Sequence, residues 1–273
     1  MVSQEQRRRQ LAREKFLRQQ QRRTSARRKT RMRNSVIASV LGVVVIAGVA
    51  LYTTGAFKND DKANASSATT PSATPSASKA PDPCEKAAAG SVKKMSWKKE
   101  PAMTIDTSAK YTMTLSTTCG DIGIAMKTSA APHTVNSFDF LASKGYFDHS
   151  KCHRLTTNGI YVLQCGDPTG TGSGGPGYTI PDENLKDASL KGGVYPAGTV
   201  AMANTGQKHT GGSQFFLVYQ DSQLPASYTP FGTVDAAGMK ILKKIAAAGE
   251  NTGQGDGAPN ATVVINKATV TKS

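Results

Sequence analysis

Tyr111-Thr112-Met113-Thr114-Leu115-Ser116, a break at Thr118-Cys119-Gly120-Asp121, and then Ile122-Gly123-Ile124-Ala125-Met126 decide the class of fold. Large apolar residues occupy every second position on both sides of the break. In a strand successive side chains point to opposite faces, so this period of two marks two half-buried strands. The short Gly-Asp break predicts an antiparallel hairpin.

Outward from this hairpin the same signs recur. Strands are expected at 152–156, 160–166, 199–203, 214–219, 230–235 and 262–270. A helix is expected over 132–144, with Pro132 at its start, Val135, Phe138 and Leu141 on one face, and Gly145 as its stop. A second is expected over 237–248, ending before Gly249. Many short strands, two helices and glycine-rich turns predict a mainly β domain built as a closed antiparallel barrel. At about 170 residues such a domain can hold its own core.

The N-terminal third differs. The chain has 273 residues and a net charge of +15, and residues 1–34 hold thirteen Lys and Arg against only Glu5 and Glu14. The basic character therefore belongs to a tail. Residues 35–52 carry no charge. As a helix they would reach roughly 27 Å, enough for a bilayer core. With the basic flank inside, the expectation is a cytoplasmic tail (1–34), a single transmembrane helix (35–52) and an extracytoplasmic remainder. A cleaved signal peptide is the rival reading, with Thr54-Gly55-Ala56 as a passable site, although 34 residues before the apolar run is long for one. The tail abuts the apolar run and lacks interleaved aromatics, so it reads as resting on anionic lipid, and no nucleic-acid partner is expected. Residues 53–83, rich in Ser, Thr, Ala and Pro, cannot bury enough apolar surface to order themselves and read as a disordered linker. Residues 84–104, with the only tryptophan, Trp97, read as an extension packed on the domain at 105–271.

Several chemistries lack their residues. His149, Cys152, His153 and Cys165 fit no standard zinc spacing, and no metal is expected. Gly170-Thr171-Gly172-Ser173-Gly174-Gly175-Pro176-Gly177 lacks the Gly-Lys-Ser/Thr ending of a phosphate loop. Ser213 sits in no nucleophile elbow. What remains is Arg154, the amides of Gln164 and Gln214, and a set of aromatic and apolar residues on strand-like stretches. In Gly212-Ser213-Gln214-Phe215-Phe216-Leu217, Gln214 and Phe216 share one face. An amide beside a ring suits a peptide groove better than a dry core.

His153-Arg154, Gln164, Gly166-Asp167, Gly172-Ser173-Gly174-Gly175, Asp182-Glu183-Asn184, Ala203-Asn204, Gly212-Ser213-Gln214-Phe215-Phe216 and Phe231-Gly232 follow one another in an order and spacing that resembles the cyclophilin-type peptidyl-prolyl isomerases. The resemblance covers about 105 to 271. It implies a closed eight-stranded antiparallel β-barrel capped by two α-helices, a monomer without cofactor that acts on proline-containing polypeptides. It implies Arg154 as the catalytic arginine, with Gln164 and Asn204 beside it. Gln214 would be the second groove amide, and Ala203 with Asn204 the edge that bonds the substrate backbone. Phe216 would floor the proline pocket, joined by Tyr161, Val162, Leu224 and Tyr228. Three departures stand out. Cys152 replaces the family's usual Phe, two extra residues lie between Arg154 and Gln164, and Gln223 stands where many members have Trp. The implied function is an isomerase assisting the folding of extracytoplasmic polypeptides. The alternative is a proline-peptide-binding module or chaperone at the cell surface that uses the groove without turnover.

Cys152 and Cys165 fall on the two strands of one hairpin. The Asn158-Gly159 turn lies midway between them, so they are expected to face each other and form a disulfide. Cys84 and Cys119 would be left as a second pair.

Overall fold

A computed structural model gives the structure of residues 81–273. The expected basic tail, membrane span and nearly all of the linker lie outside the described residues. Among the described residues no helix is long and apolar enough to cross a membrane.

Strands β1 (Tyr111–Thr117) and β2 (Gly120–Met126) form the expected hairpin, with Thr117 opposite Gly120 and Tyr111 opposite Met126. The inward positions Met113, Leu115, Ile122 and Ile124 are at most 1 % exposed. Burying each stabilises the fold by roughly 2 kcal/mol, which sets the register against a one-residue slip. Thr117 closes the turn, its hydroxyl donating to the Gly120 carbonyl at 2.6 Å.

The remaining strands are β3 (Ser150–Lys151), β4 (Arg154–Thr156), β5 (Val162–Cys165), β6 (Val194–Tyr195), β7 (Thr199–Met202), β8 (Phe215–Val218), β9 (Ser222–Gln223), β10 (Pro230–Val234), β11 (Asp256–Gly257) and β12 (Val264–Lys272). Ten of the twelve strands make one antiparallel sheet in the order β11-β4-β5-β8-β7-β10-β2-β1-β12-β3, and β6 pairs with β9 apart from it. The sheet is curled but its ladder is open at β11 and β3, so the expected closed eight-stranded barrel is corrected. The cause lies at Cys152-His153. The strand expected at 152–156 begins at Ser150 and breaks in two. The Cys152 N–H donates to the Val263 carbonyl and the His153 N–H to the Gln164 carbonyl, so this one segment divides, β3 pairing with β12 at one edge and β4 lying between β5 and β11 at the other.

Helix α1 (Pro132–Ser143) buries Val135, Phe138 and Leu141. Phe138 anchors an aromatic core, with ring centroids 4.6 Å from Phe231, 5.3 Å from Phe147 and 5.4 Å from Phe215. The helix has no capping side chain of its own. Glu183 supplies one from fifty residues on, accepting from the His133 N–H at 3.0 Å and the Thr134 N–H at 2.9 Å. A carboxylate there satisfies orphan donors and complements the helix dipole. Helix α2 (Ala236–Ala247) is capped by Asp235, which accepts from the Gly238 N–H. Gly238 must be small, because a Cβ there would lie 2.8 Å from Val234 and 2.9 Å from Ile122.

The segment before β1 is bound to the domain at several points. A disulfide joins Cys84 to Cys119 in the β1–β2 turn. The Trp97 ring stacks edge-on against Phe140 at 5.1 Å, and the Asn136 side chain accepts from the Thr104 N–H at 2.9 Å.

A second disulfide joins Cys152 to Cys165 with Cα atoms 4.1 Å apart. The pair forms as expected, but not as direct partners across the hairpin. Arg154 pairs with Gln164 and Asn158 bridges to Ile160, so the turn centres on Gly159, one half-step from the expected centre. Cys152 is thereby one residue out of register with Cys165, and reaches it because Cys152 has already left the ladder.

Candidate active site

Strands β5, β7 and β8 are buried on both faces. Leu163, Val200, Met202, Phe215 and Leu217 face the main core, while Val162, Ala201, Phe216 and Val218 join Tyr195 in a second cluster outside the sheet. This second cluster floors a cavity of about 530 Å³, walled by Arg154, Gln164, Ala203, Asn204, Leu224 and Tyr228. Phe216 is 5 % exposed, with the Tyr228 ring edge-on to it at 5.4 Å and Tyr195 at 6.4 Å. The Tyr195 hydroxyl donates to the Tyr228 carbonyl at 2.8 Å and holds that wall in place.

Arg154 lies on β4 directly opposite Gln164 on β5. Its Nη1 donates to Gln164 Oε1 at 3.2 Å, Gln164 Nε2 donates to Gln214 Oε1 at 2.9 Å, and Gln214 Nε2 donates to the Gly174 carbonyl at 2.9 Å. Each amide is thus both donor and acceptor in one directed chain. On the other edge of the guanidinium, Nε and Nη2 donate to the two carboxylate oxygens of Asp256 at 2.7 and 2.8 Å. That hydrogen bond holds the Arg154 pKa above its ordinary value and the Asp256 carboxyl below its own. Three of the five guanidinium N–H bonds are taken by these partners, and two remain for a ligand.

Asn204 spends its side chain on its own loop. Its Nδ2 donates to the Ser227 carbonyl at 2.8 Å and its Oδ1 accepts from the Gly206 N–H at 2.9 Å. Its side-chain amide is thereby engaged within the loop, while the residue lines the cavity. The Ala203 N–H is already bonded to the Gln214 carbonyl, which ties this edge to β8.

The glycine loop from 170 to 177 is organised by the buried Asp167. Its carboxylate accepts from the backbone N–H groups of Thr169, Thr171, Gly172 and Ser173. Burial opposes its charge, but the Thr169 hydroxyl and the N–H groups of Gly174, Thr169 and Gly172 outweigh burial and bring its pKa down to about 2. Gly177, at φ +87°, leaves no room for a side chain, since a Cβ would lie 2.7 Å from the Trp97 carbonyl.

Of the residues expected here from sequence, Arg154, Val162, Gln164, Ala203, Asn204, Phe216, Leu224 and Tyr228 line this cavity, and Gln214 joins it through Gln164. Tyr161 does not. Alternation along the strand sends its ring to the other face, against Tyr219 at 5.9 Å, and Ile160 takes the groove position. Counting back by twos from Gln164 would have found Ile160. Asp256 was also missed, and no local signal marks it, because only the sheet order brings β11 beside β4. His153 lines the cavity too, with neither ring nitrogen hydrogen-bonded. Burial, partly offset by Asp167, pushes its pKa down. Two departures gain an account: Cys152 is half of the disulfide, and Gln223 on β9 donates to the Gly192 carbonyl at 2.8 Å.

Comparison with known proteins agrees with this geometry. Residues 112–270 match the family model described as cyclophilin type peptidyl-prolyl cis-trans isomerase/CLD. The chain is 48 % identical over 165 residues to the probable peptidyl-prolyl cis-trans isomerase B of Mycobacterium leprae, covering 58 % of this chain and 56 % of that protein. It is 47 % identical over 165 residues to the protein of the same description in Mycobacterium tuberculosis, covering 58 % and 53 %. The chain therefore spans about half the length of these two relatives. It is also 41 % identical over 117 residues to peptidyl-prolyl cis-trans isomerase B of Bacillus subtilis, covering 42 % of this chain and 76 % of that protein.

Proposed function

We infer the function from one premise: this chain belongs to the cyclophilin-type peptidyl-prolyl cis-trans isomerase family. It catalyses cis–trans isomerisation of X–Pro bonds in polypeptides that bind the groove. The observation that carries this reading is a guanidinium held at two edges above an apolar pocket, with two N–H bonds left free.

Amide resonance sets a rotation barrier of about 18–20 kcal/mol, and unaided X–Pro bonds take tens to hundreds of seconds to isomerise. At the twisted transition state resonance is lost and the proline nitrogen gains a lone pair. A donor aimed at that nitrogen binds the twisted state more tightly than either planar state, which is what lowers a barrier. Arg154 suits this because it is always charged and its plane is held before substrate arrives. Ile160, Val162, Phe216, Leu224 and Tyr228 grip the proline ring, and the free backbone of Asn204 pairs with the substrate chain. The reaction moves no proton, and the site needs no nucleophile and base. A protease-coupled assay of the purified protein on a proline tetrapeptide tests the reading. Rates at the uncatalysed background, with peptide still bound, would transfer the groove to the non-catalytic binding module.

The protein works outside the cytoplasm, anchored through residues 35–52 with residues 1–34 inside, where it assists the folding of exported chains. The uncharged run and its basic flank support this, as do the two disulfides, since such bonds persist in oxidising compartments. Protease added to spheroplasts should remove the domain and spare the tail. Protection of the domain overturns the topology, and its release as soluble protein overturns the anchor.

A further inference from the structure

The proline cavity opens into a larger one of about 1130 Å³, and the two share Gln164, Gly172, Ala203 and Asn204. One wall of the larger cavity is built by Lys98, Lys99 and Glu100. These three residues belong to the extension before β1, outside the stretch that matches the family. Their placement is not incidental. The Trp97 N–H donates to the Pro176 carbonyl at 2.8 Å, and the Trp97 ring packs on Phe140 and Tyr146. The extension is thus fastened, one residue before the lysines, to the glycine loop that also lines this cavity.

The charge of this wall is unbalanced. Glu100 is the single carboxylate among the cavity's described lining residues, and it faces His133, with Oε1 3.4 Å from Nδ1. Lys98 and Lys99 are exposed, and among the described residues neither side chain has an ion-pair or hydrogen-bond partner. The rest of the lining adds hydroxyls such as Thr179, Thr205 and Thr210, and no further charge.

We propose that Lys98 and Lys99 make this second cavity a subsite for an acidic side chain, so that the groove selects prolines with Asp or Glu close by in sequence. An extended peptide advances about 3.3–3.6 Å per residue, so a cavity contiguous with the proline pocket receives side chains within two or three positions of the proline. The selection rests on the isomerase reading, and adds to it a substrate class set by residues that the family domain does not carry.

The test is kcat/KM for alanine-based proline peptides, neutral or carrying one Glu or one Lys at each of three positions on either side of the proline. It is run on the full chain at low and high salt. Wild type should favour Glu over neutral by about 3- to 10-fold at one or two positions on one side, since two partly solvated cations act together, and salt should erase the preference. In Lys98→Ala/Lys99→Ala the Glu-to-neutral ratio should fall to about one. In Lys98→Glu/Lys99→Glu it should invert, with Lys peptides now preferred. A wild-type ratio of one at every position, or the same ratio in all three proteins, overturns the proposal while the neutral peptide's turnover leaves the isomerase reading standing. Turnover of no peptide at all overturns both.

Discussion

The guanidinium of Arg154 and the carboxylate of Asp256, 102 residues apart in the chain, meet in two parallel hydrogen bonds of 2.7 and 2.8 Å. The short pairing of β11 with β4, Asp256 opposite Thr156 and Gly257 opposite Leu155, brings them together. Glu250 steadies the loop by accepting from the Thr252 and Gly255 N–H groups. Asp256 acts through Arg154 by fixing its plane. Asp256→Ala should therefore lower kcat/KM by about 3- to 10-fold, chiefly in kcat, with peptide affinity nearly kept. Because Arg154 holds the Asp256 carboxyl below its ordinary value, the pair is intact above the ordinary carboxylate range and is lost only as pH falls through the lowered value. The wild-type profile should show no step from Asp256 between about pH 5 and 8, and a loss of kcat there that persists in His153→Gln would contradict this assignment.

Arg154→Ala should cost far more, a fall in kcat/KM on the order of 10²–10³, or about 3–4 kcal/mol of transition-state stabilisation. Arg154→Lys should recover little, because an ammonium cannot be gripped at two edges and still present a fork. Proline-peptide binding should change much less, since Phe216 and its neighbours supply the contact area. Full activity in the alanine variant would falsify the mechanism.

Cys152 and Cys165 are both buried, and their bond closes a short loop that contains Arg154 and Gln164. Replacing both with alanine should destabilise the domain by about 3 kcal/mol, from loop entropy restored to the unfolded chain. Urea unfolding of variant and wild type checks this. Equal midpoints would show that the bond constrains nothing.

Asp167 supplies an acid-sensitive contribution. Its pKa is about 2 against an ordinary 3.8, so its stabilisation is present in full above 3.8 and disappears as pH falls from there to about 2. The size is on the order of 2 kcal/mol. Asp167→Asn should lose that amount at neutral pH, and the gap to wild type should close below pH 3 in thermal melts. His153 adds a step in the same direction. Its folded pKa lies below the ordinary 6.5, so stability present above 6.5 is lost as pH falls from there toward the folded value. His153→Gln should remove that step, and a step retained in the variant would assign it elsewhere.

The local pattern of the chain was enough for most of the domain's elements and much of its groove. Period two in 111–126, the proline start and apolar face of 132–144, and the shared face of Gln214 and Phe216 are each set by backbone geometry within a few residues, and local sequence carries them. The family motifs added the identities of Arg154, Gln164 and the Ala203-Asn204 edge. Four features needed tertiary structure, because each joins distant segments. The sheet stays open because one strand divides at Cys152-His153 between its two ends. Helix α1 takes its cap from Glu183 and not from its own first turn. Asp256 reaches Arg154 only through the sheet order. Lys98 and Lys99 line the cavity next to the groove only because Trp97 docks on α1 and the glycine loop. Periodicity fixes which face a side chain takes. Which distant residue it then meets depends on how the faces pack, and no short stretch of sequence holds that information.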